Sequence, residues 1–196
     1  MKGELMEERI NRNWRRRVNV KIGYYLAKTG VSPNSLTVAG IFVSFSAALV
    51  IPLYGLVYGA FAMAFASLFD LLDGAVAKAT NKTTNFGAFL DDVADRISEA
   101  FFFSAIFFIT GGSFVVFATA VTSILVSYVK ASATTRGYKI TSGAILGRPL
   151  RIVLLFILMI ASPWFEITST LWLIVIINIC VMILRWREIQ KQGVYN

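Results

Sequence analysis

The stretch DLLDGAVAKATNKTTNFGAFLDDVAD, Asp70 to Asp95, sets five aspartates and two lysines between segments that otherwise read as membrane. Acids at a bilayer boundary are costly and rare unless they serve a function. Asp70 and Asp73 are three residues apart, and Asp91 and Asp95 four, so each pair shares one helical face. The link between the two pairs is short, which makes the flanking helices antiparallel neighbours and lets the four carboxylates converge. Their mutual repulsion calls for a divalent cation, and an all-oxygen ligand set suits Mg²⁺, Mn²⁺ or Ca²⁺. Gly74 and Gly87 allow close backbone approach to a helix or a ligand. Lys78, Lys82, Thr83 and Thr84 offer charge and hydroxyl donors suited to phosphate oxygens. Glu99 extends the Asp91–Asp95 stripe and is read as support for those acids.

The rest of the chain explains why this stretch is unusual. Of 196 residues, 57% are hydrophobic, 16 are Phe and only 15% are charged. Mean hydropathy is +0.68. Soluble domains are about 45–50% apolar even with glycine counted, so the class is an all-α, multi-pass membrane protein. With no linker or repeat in view, residues 1–196 are read as one domain. Its parts are a juxtamembrane segment over 1–33 and a helical bundle over 34–186. The single cysteine, Cys180, forms no intrachain disulfide and reads as packing. Histidine is absent, so catalysis falls to carboxylates, Lys or Tyr.

Apolar run length predicts six spans, at roughly 34–56, 58–80, 87–111, 113–138, 147–162 and 166–184. Breaks fall at Pro52 to Gly59, at 80–86, at Gly111-Gly112, between Gly137 and Gly147, and at Ser162-Pro163. With both termini on one side, all 19 Lys and Arg lie on that side. The opposite loops carry only Glu166 as a charge. The positive-inside rule makes the basic side, and so both termini, cytoplasmic. The net charge of +8 is thereby assigned to the membrane surface, not to nucleic acid. Residues 5–28 set Met6, Ile10, Trp14, Val18, Ile22 and Tyr25 at helical spacing among basic residues. This predicts an amphipathic interfacial helix drawn to anionic lipid. The opening segment is charged and lacks the apolar core of a signal peptide. SPNSLT, Ser32 to Thr37, reads as a helix start, with Ser32 as cap and Pro33 in the first position.

The acidic stretch also resembles the motif of the CDP-alcohol phosphotransferase family, D-x2-D-G-x2-A-R-x8-G-x3-D-x3-D. Here it runs Asp70, Asp73, Gly74, Ala77, Lys78, Gly87, Asp91, Asp95, and departs only in Lys78 for the usual Arg. The resemblance implies six transmembrane helices around a polar cavity open to the cytoplasm. It also implies transfer of a phosphate-linked alcohol from a CDP-alcohol to a second alcohol, with release of CMP. By the same resemblance Asp70, Asp73, Asp91 and Asp95 would hold divalent metal, with Asp95 also the general base. Lys78 would contact the donor phosphates, and Asn34 and Thr37 the nucleotide, alongside Gly74, Thr83 and Gly87. Lys is a poorer bidentate partner than Arg, so the contact at Lys78 differs in kind. Members of that family are often homodimers, an option the resemblance extends to this chain.

Lys130, Arg136, Lys139, Arg148 and Arg151 gather at the predicted cytoplasmic ends of spans four and five. They read either as anchoring charges or as a pocket for a phosphorylated acceptor. Tyr128-Val129-Lys130-Ala131 and Arg148-x-x-Arg151 are similar to segments of the family members that use inositol phosphate. This makes Lys130, Arg148 and Arg151 the implied acceptor contacts and CDP-diacylglycerol or CDP-archaeol the implied donor. Gly147 and Thr134 stand where acids are common in those members. Glycerol phosphate, or a soluble CDP-inositol donor, therefore stays open. On physics alone a cation transporter or channel with an acidic site competes, but transport favours acids near the midplane and a repeated architecture.

Overall fold

The structure, a computed structural model, describes residues 23–80, 83–142 and 147–193. The predicted amphipathic helix falls mostly outside them; a helical stretch over 23–28 is its described end. The regular elements among the described residues are all helices, with no strand. The helices are α1 (Pro33–Tyr54), α2 (Leu56–Ala79), α3 (Asn85–Ile109), α4 (Phe114–Thr135), α5 (Arg148–Ala161) and α6 (Ile167–Gly193).

Local chemistry explains these boundaries. The Ser32 hydroxyl accepts the Ser35 N–H at 3.1 Å, which caps α1, and Pro33 opens it. Pro52 was read as part of a break, yet α1 runs through it to Tyr54. The ring removes one donor near the helix end, and the Gly55 N–H still bonds the Ile51 carbonyl at 2.9 Å. The turn belongs to Gly55 instead, whose φ of 92° is closed to most residues with a Cβ. Its carbonyl accepts the Gly59 N–H at 3.0 Å, so α2 begins at once. The last helix extends to Gly193, well past the predicted end at 184, because RWREIQKQ is polar but favours helix.

Four helices, α1, α2, α4 and α6, are long and apolar enough to cross a membrane. The chain is accordingly a membrane protein. α3 has the length, but its acids exclude it on composition. α5 has only 14 residues, about 21 Å of helix against a hydrocarbon core of about 30 Å. Large apolar side chains on the outer faces, among them Phe42, Leu53, Phe61, Phe108 and Trp164, are exposed, as suits lipid contact.

The described residues form two compact units. One combines the chain up to Phe45 with Phe65–Ser98, and the other combines Ser46–Ala64 with the chain from Glu99 on. In the first, the backbone of the 23–28 stretch touches α2, where a Cβ on Gly23 would fall on the Ala75 carbonyl. In the second, α6 packs on α4 and α5. Its apolar seam includes Val116, Val126, Leu171, Ile174 and Val181, all buried. Asn178 sits fully buried in that seam and donates to the Ser123 and Thr122 hydroxyls, each at 3.1 Å. A buried amide in lipid needs such partners, and they pin the register of the two helices. About two to four turns further along α6, Arg185 donates to the Val126 carbonyl, and Glu188 and Gln192 grip the segment after α4.

Candidate active site

In the first unit, α2 carries Asp70 and Asp73, and α3 carries Asp91 and Asp95. Carboxylate oxygens of Asp70, Asp91 and Asp95 all lie within 4.8 Å of one another. Asp95 is 9% exposed and Asp73 5%. Three converging carboxylates, with no softer donor among them, fit a hard divalent cation. Asp70, Asp91 and Asp95 could each give it one oxygen.

Of the four acids expected to converge, Asp73 is not in that set of three. Its Oδ2 accepts the hydroxyl of Thr37, on α1, at 2.5 Å. Thr37 was expected at the nucleotide, and its hydroxyl faces this carboxylate instead. Asn34, one turn before Thr37, lies beside the start of α3: a Cβ on Gly87 would come within 3.3 Å of the Asn34 Oδ1. The same Cβ would come within 3.1 Å of the Thr84 hydroxyl, which accepts the Gly87 N–H at 2.9 Å. Thr84 is thus the cap of α3, whereas the sequence reading had offered it to phosphate. A Thr three residues before Gly87 was signal enough for that role. Gly87 does mark a close approach. At Gly74 a Cβ would meet no atom of the described residues within 4 Å, which leaves approach to a ligand as the expected use of that glycine. Lys78 and Thr83 are exposed.

In the second unit, Arg151 is 3% exposed and donates from Nη2 to Glu99 Oε1 at 2.8 Å. The Arg148 Nε lies 3.6 Å from the same oxygen. Glu99, read as support for the aspartates, is therefore a partner of both arginines of the expected acceptor group. Arg151 Nη2 also lies 3.5 Å from the Ser127 hydroxyl on α4. Its Nη1 is buried without a hydrogen-bond partner among the described residues. Lys130, one turn past Ser127, is exposed. Sequence reasoning missed Arg185 and Ser127. Arg185 had a visible signal, as a cation seven residues past Asn178 on a face that is otherwise apolar.

Comparison with known proteins gives a consistent picture. The family profile of CDP-alcohol phosphatidyltransferase matches residues 30–186. An archaetidylinositol phosphate synthase of Pyrococcus horikoshii is 33% identical over 176 residues, covering 88% of this chain and 90% of its own. A phosphatidylinositol phosphate synthase of Mycobacteroides abscessus is 30% identical, covering 84% of this chain and 80% of its own. The crystal structure of Mycobacterium tuberculosis phosphatidylinositol phosphate synthase with CDP-DAG bound superposes with a TM-score of 0.77 at 30% identity, over 88% of this chain and 94% of that one. The same enzyme in complex with manganese and citrate gives a TM-score of 0.78 at 27% identity, over 88% of each.

Proposed function

The chain belongs to the CDP-alcohol phosphatidyltransferase family, and from that premise we propose that it makes a phosphoinositide-type lipid. It transfers a substituted phosphate from a CDP-linked lipid to inositol phosphate and releases CMP. The observation that carries this reading is the convergence of Asp70, Asp91 and Asp95 oxygens within 4.8 Å, on residues in the family's motif order. The names of the relatives support the acceptor and the CDP-lipid donor, and the manganese complex supports a divalent metal. The cation-transport reading gives way to this one.

Asp70, Asp73, Asp91 and Asp95 would hold the metal, which when bound neutralises charge on the donor diphosphate. Asn34, Gly74, Lys78, Thr83 and Gly87 would line the CDP site. Open space at Gly74 suits a bound donor, and exposed Lys78 supplies a point charge to phosphate. Asp95 takes the proton of the acceptor hydroxyl. That oxygen then forms a bond to the lipid-bearing phosphorus, the pyrophosphate bond breaks, and CMP leaves with its electron pair. Lys130, Arg148 and Arg151 would hold the acceptor phosphate. The Arg151 Nη1, buried and without a hydrogen-bond partner among the described residues, supports this as a donor suited to an anion.

We place six spans in one domain, with both termini and the site at the cytoplasmic face. Charge distribution supports the orientation. α3 and α5 then cross as part of the bundle. The homodimer option rests on resemblance alone.

The test is CMP release by purified protein with Mn²⁺ and CDP-diacylglycerol or CDP-archaeol. Inositol phosphate should outpace inositol and glycerol phosphate, and CDP-inositol should be a poor donor. Asp95→Asn should lower kcat at least about 100-fold while donor binding persists. Turnover near the wild-type rate in that variant would remove Asp95 as the base.

A further inference from the structure

We propose that Thr37 is a positioning residue for Asp73: its hydroxyl holds one carboxylate oxygen and so fixes how Asp73 meets the cation. The assignment rests on the functional reading above. It departs from a nucleotide contact at Thr37, which the sequence suggests.

Thr37 Oγ1 lies 2.5 Å from Asp73 Oδ2 and 3.1 Å from the Pro33 carbonyl. A hydroxyl has one proton, so it cannot donate fully to both. The carboxylate is the stronger acceptor and the shorter contact, so the proton belongs to Asp73. The Pro33 carbonyl is the ordinary back-bond of a helical threonine, available as a fallback. Both side chains are buried, Thr37 at 7% and Asp73 at 5% exposure. Water therefore has little access to replace the bond. The Ser32 cap and Pro33 set where α1 begins, and that sets the phase at which Thr37 faces α2.

The chemical consequence follows from Asp73's place among the acids. Asp70, Asp91 and Asp95 have mutually close oxygens, and Asp73, one helical turn from Asp70, has its Oδ2 engaged by Thr37. With Oδ2 engaged, Asp73 meets a cation through one oxygen rather than as a bidentate ligand. Losing the hydroxyl would remove one contact that orients the carboxylate, and the ordered geometry would have to be restored at the expense of binding.

Partners of metal ligands typically change metal affinity about 10–100-fold when removed. Mn²⁺ binding to detergent-solubilised protein, read from the EPR signal of free Mn²⁺ with no nucleotide present, isolates this effect. Thr37→Val should weaken Mn²⁺ binding at least about 10-fold, and Thr37→Ser should restore it. Asp73→Asn should lose as much, and the double variant should lose little more than Asp73→Asn alone. If Thr37→Val does not fold, Thr37→Cys, with a weak donor of similar size, takes its place. Unchanged Mn²⁺ affinity in Thr37→Val, with a raised KM for the CDP-lipid at saturating metal, would make Thr37 a nucleotide contact and overturn the assignment alone. Wild-type protein that takes up no Mn²⁺ would overturn the functional reading and this assignment with it.

Discussion

Glu99 and Arg151 meet in a place where neither charge is solvated, at 9% and 4% side-chain exposure. Such a pair adds little net stability compared with an apolar pair, but breaking it leaves a buried charge poorly compensated. Arg151→Ala should therefore destabilise the protein by about 3–5 kcal/mol, read as a fall in thermal midpoint in detergent, and Glu99→Gln/Arg151→Met should recover much of it. Arg148 has the more exposed side chain, at 20%, and its contact to Glu99 is longer. Arg148→Ala should spare stability and instead raise the acceptor KM well above any change in the donor KM. Equal effects on both substrates would argue against an acceptor phosphate there. The sequence displays the spacing of the aspartates and of the two arginines, because helical geometry converts spacing into a shared face. It does not display Glu99 with Arg151, or Thr37 with Asp73. Those partners lie 52 and 36 residues apart, and their meeting depends on how helices pack.

At the scale of elements, run length placed every helix but misjudged their ends. Proline was given too much weight at residue 52, where a missing donor near a helix end costs little. Polarity was given too much weight after residue 184, where the chain leaves the apolar stretch and stays helical. The extension of α6 has work to do. Glu188 accepts from the Thr141 and Ser142 N–H groups at 2.8 and 2.9 Å, and Gln192 accepts from the Lys139 N–H at 2.9 Å. Gln192 also returns a bond to the Lys139 carbonyl at 2.7 Å. Two side chains one helical turn apart thus replace the partners that a segment with no ladder of its own lacks. Glu188→Ala should abolish slow amide exchange at Thr141 and Ser142, while exchange within α4 stays as in the wild type. Retained protection at those two amides would show that other groups hold the segment.

For the whole molecule, composition and charge made the membrane class legible without any structure, because lipid tolerates few other solutions for so apolar a chain. The two-unit organisation was not legible, since α1, α2 and α3 each contribute residues to both units. Domain boundaries are sought in linkers, and here the division runs through helices. Topology is directly measurable. In a Cys180→Ser background, a cysteine at Trp164 should react with an impermeant maleimide from outside intact cells. One at Gln190 should react only after the membrane is opened. The reverse pattern would invert the orientation proposed above. Gly23 ties the described start of the chain to the acidic helix. Its α-carbon leaves no room for a methyl group against the Ala75 carbonyl, two residues beyond Asp73. A contact with so little slack works like a lever seated on its fulcrum. A side chain at residue 23 would have to push one of the two backbones aside, so these stretches of chain are fitted to each other at that point.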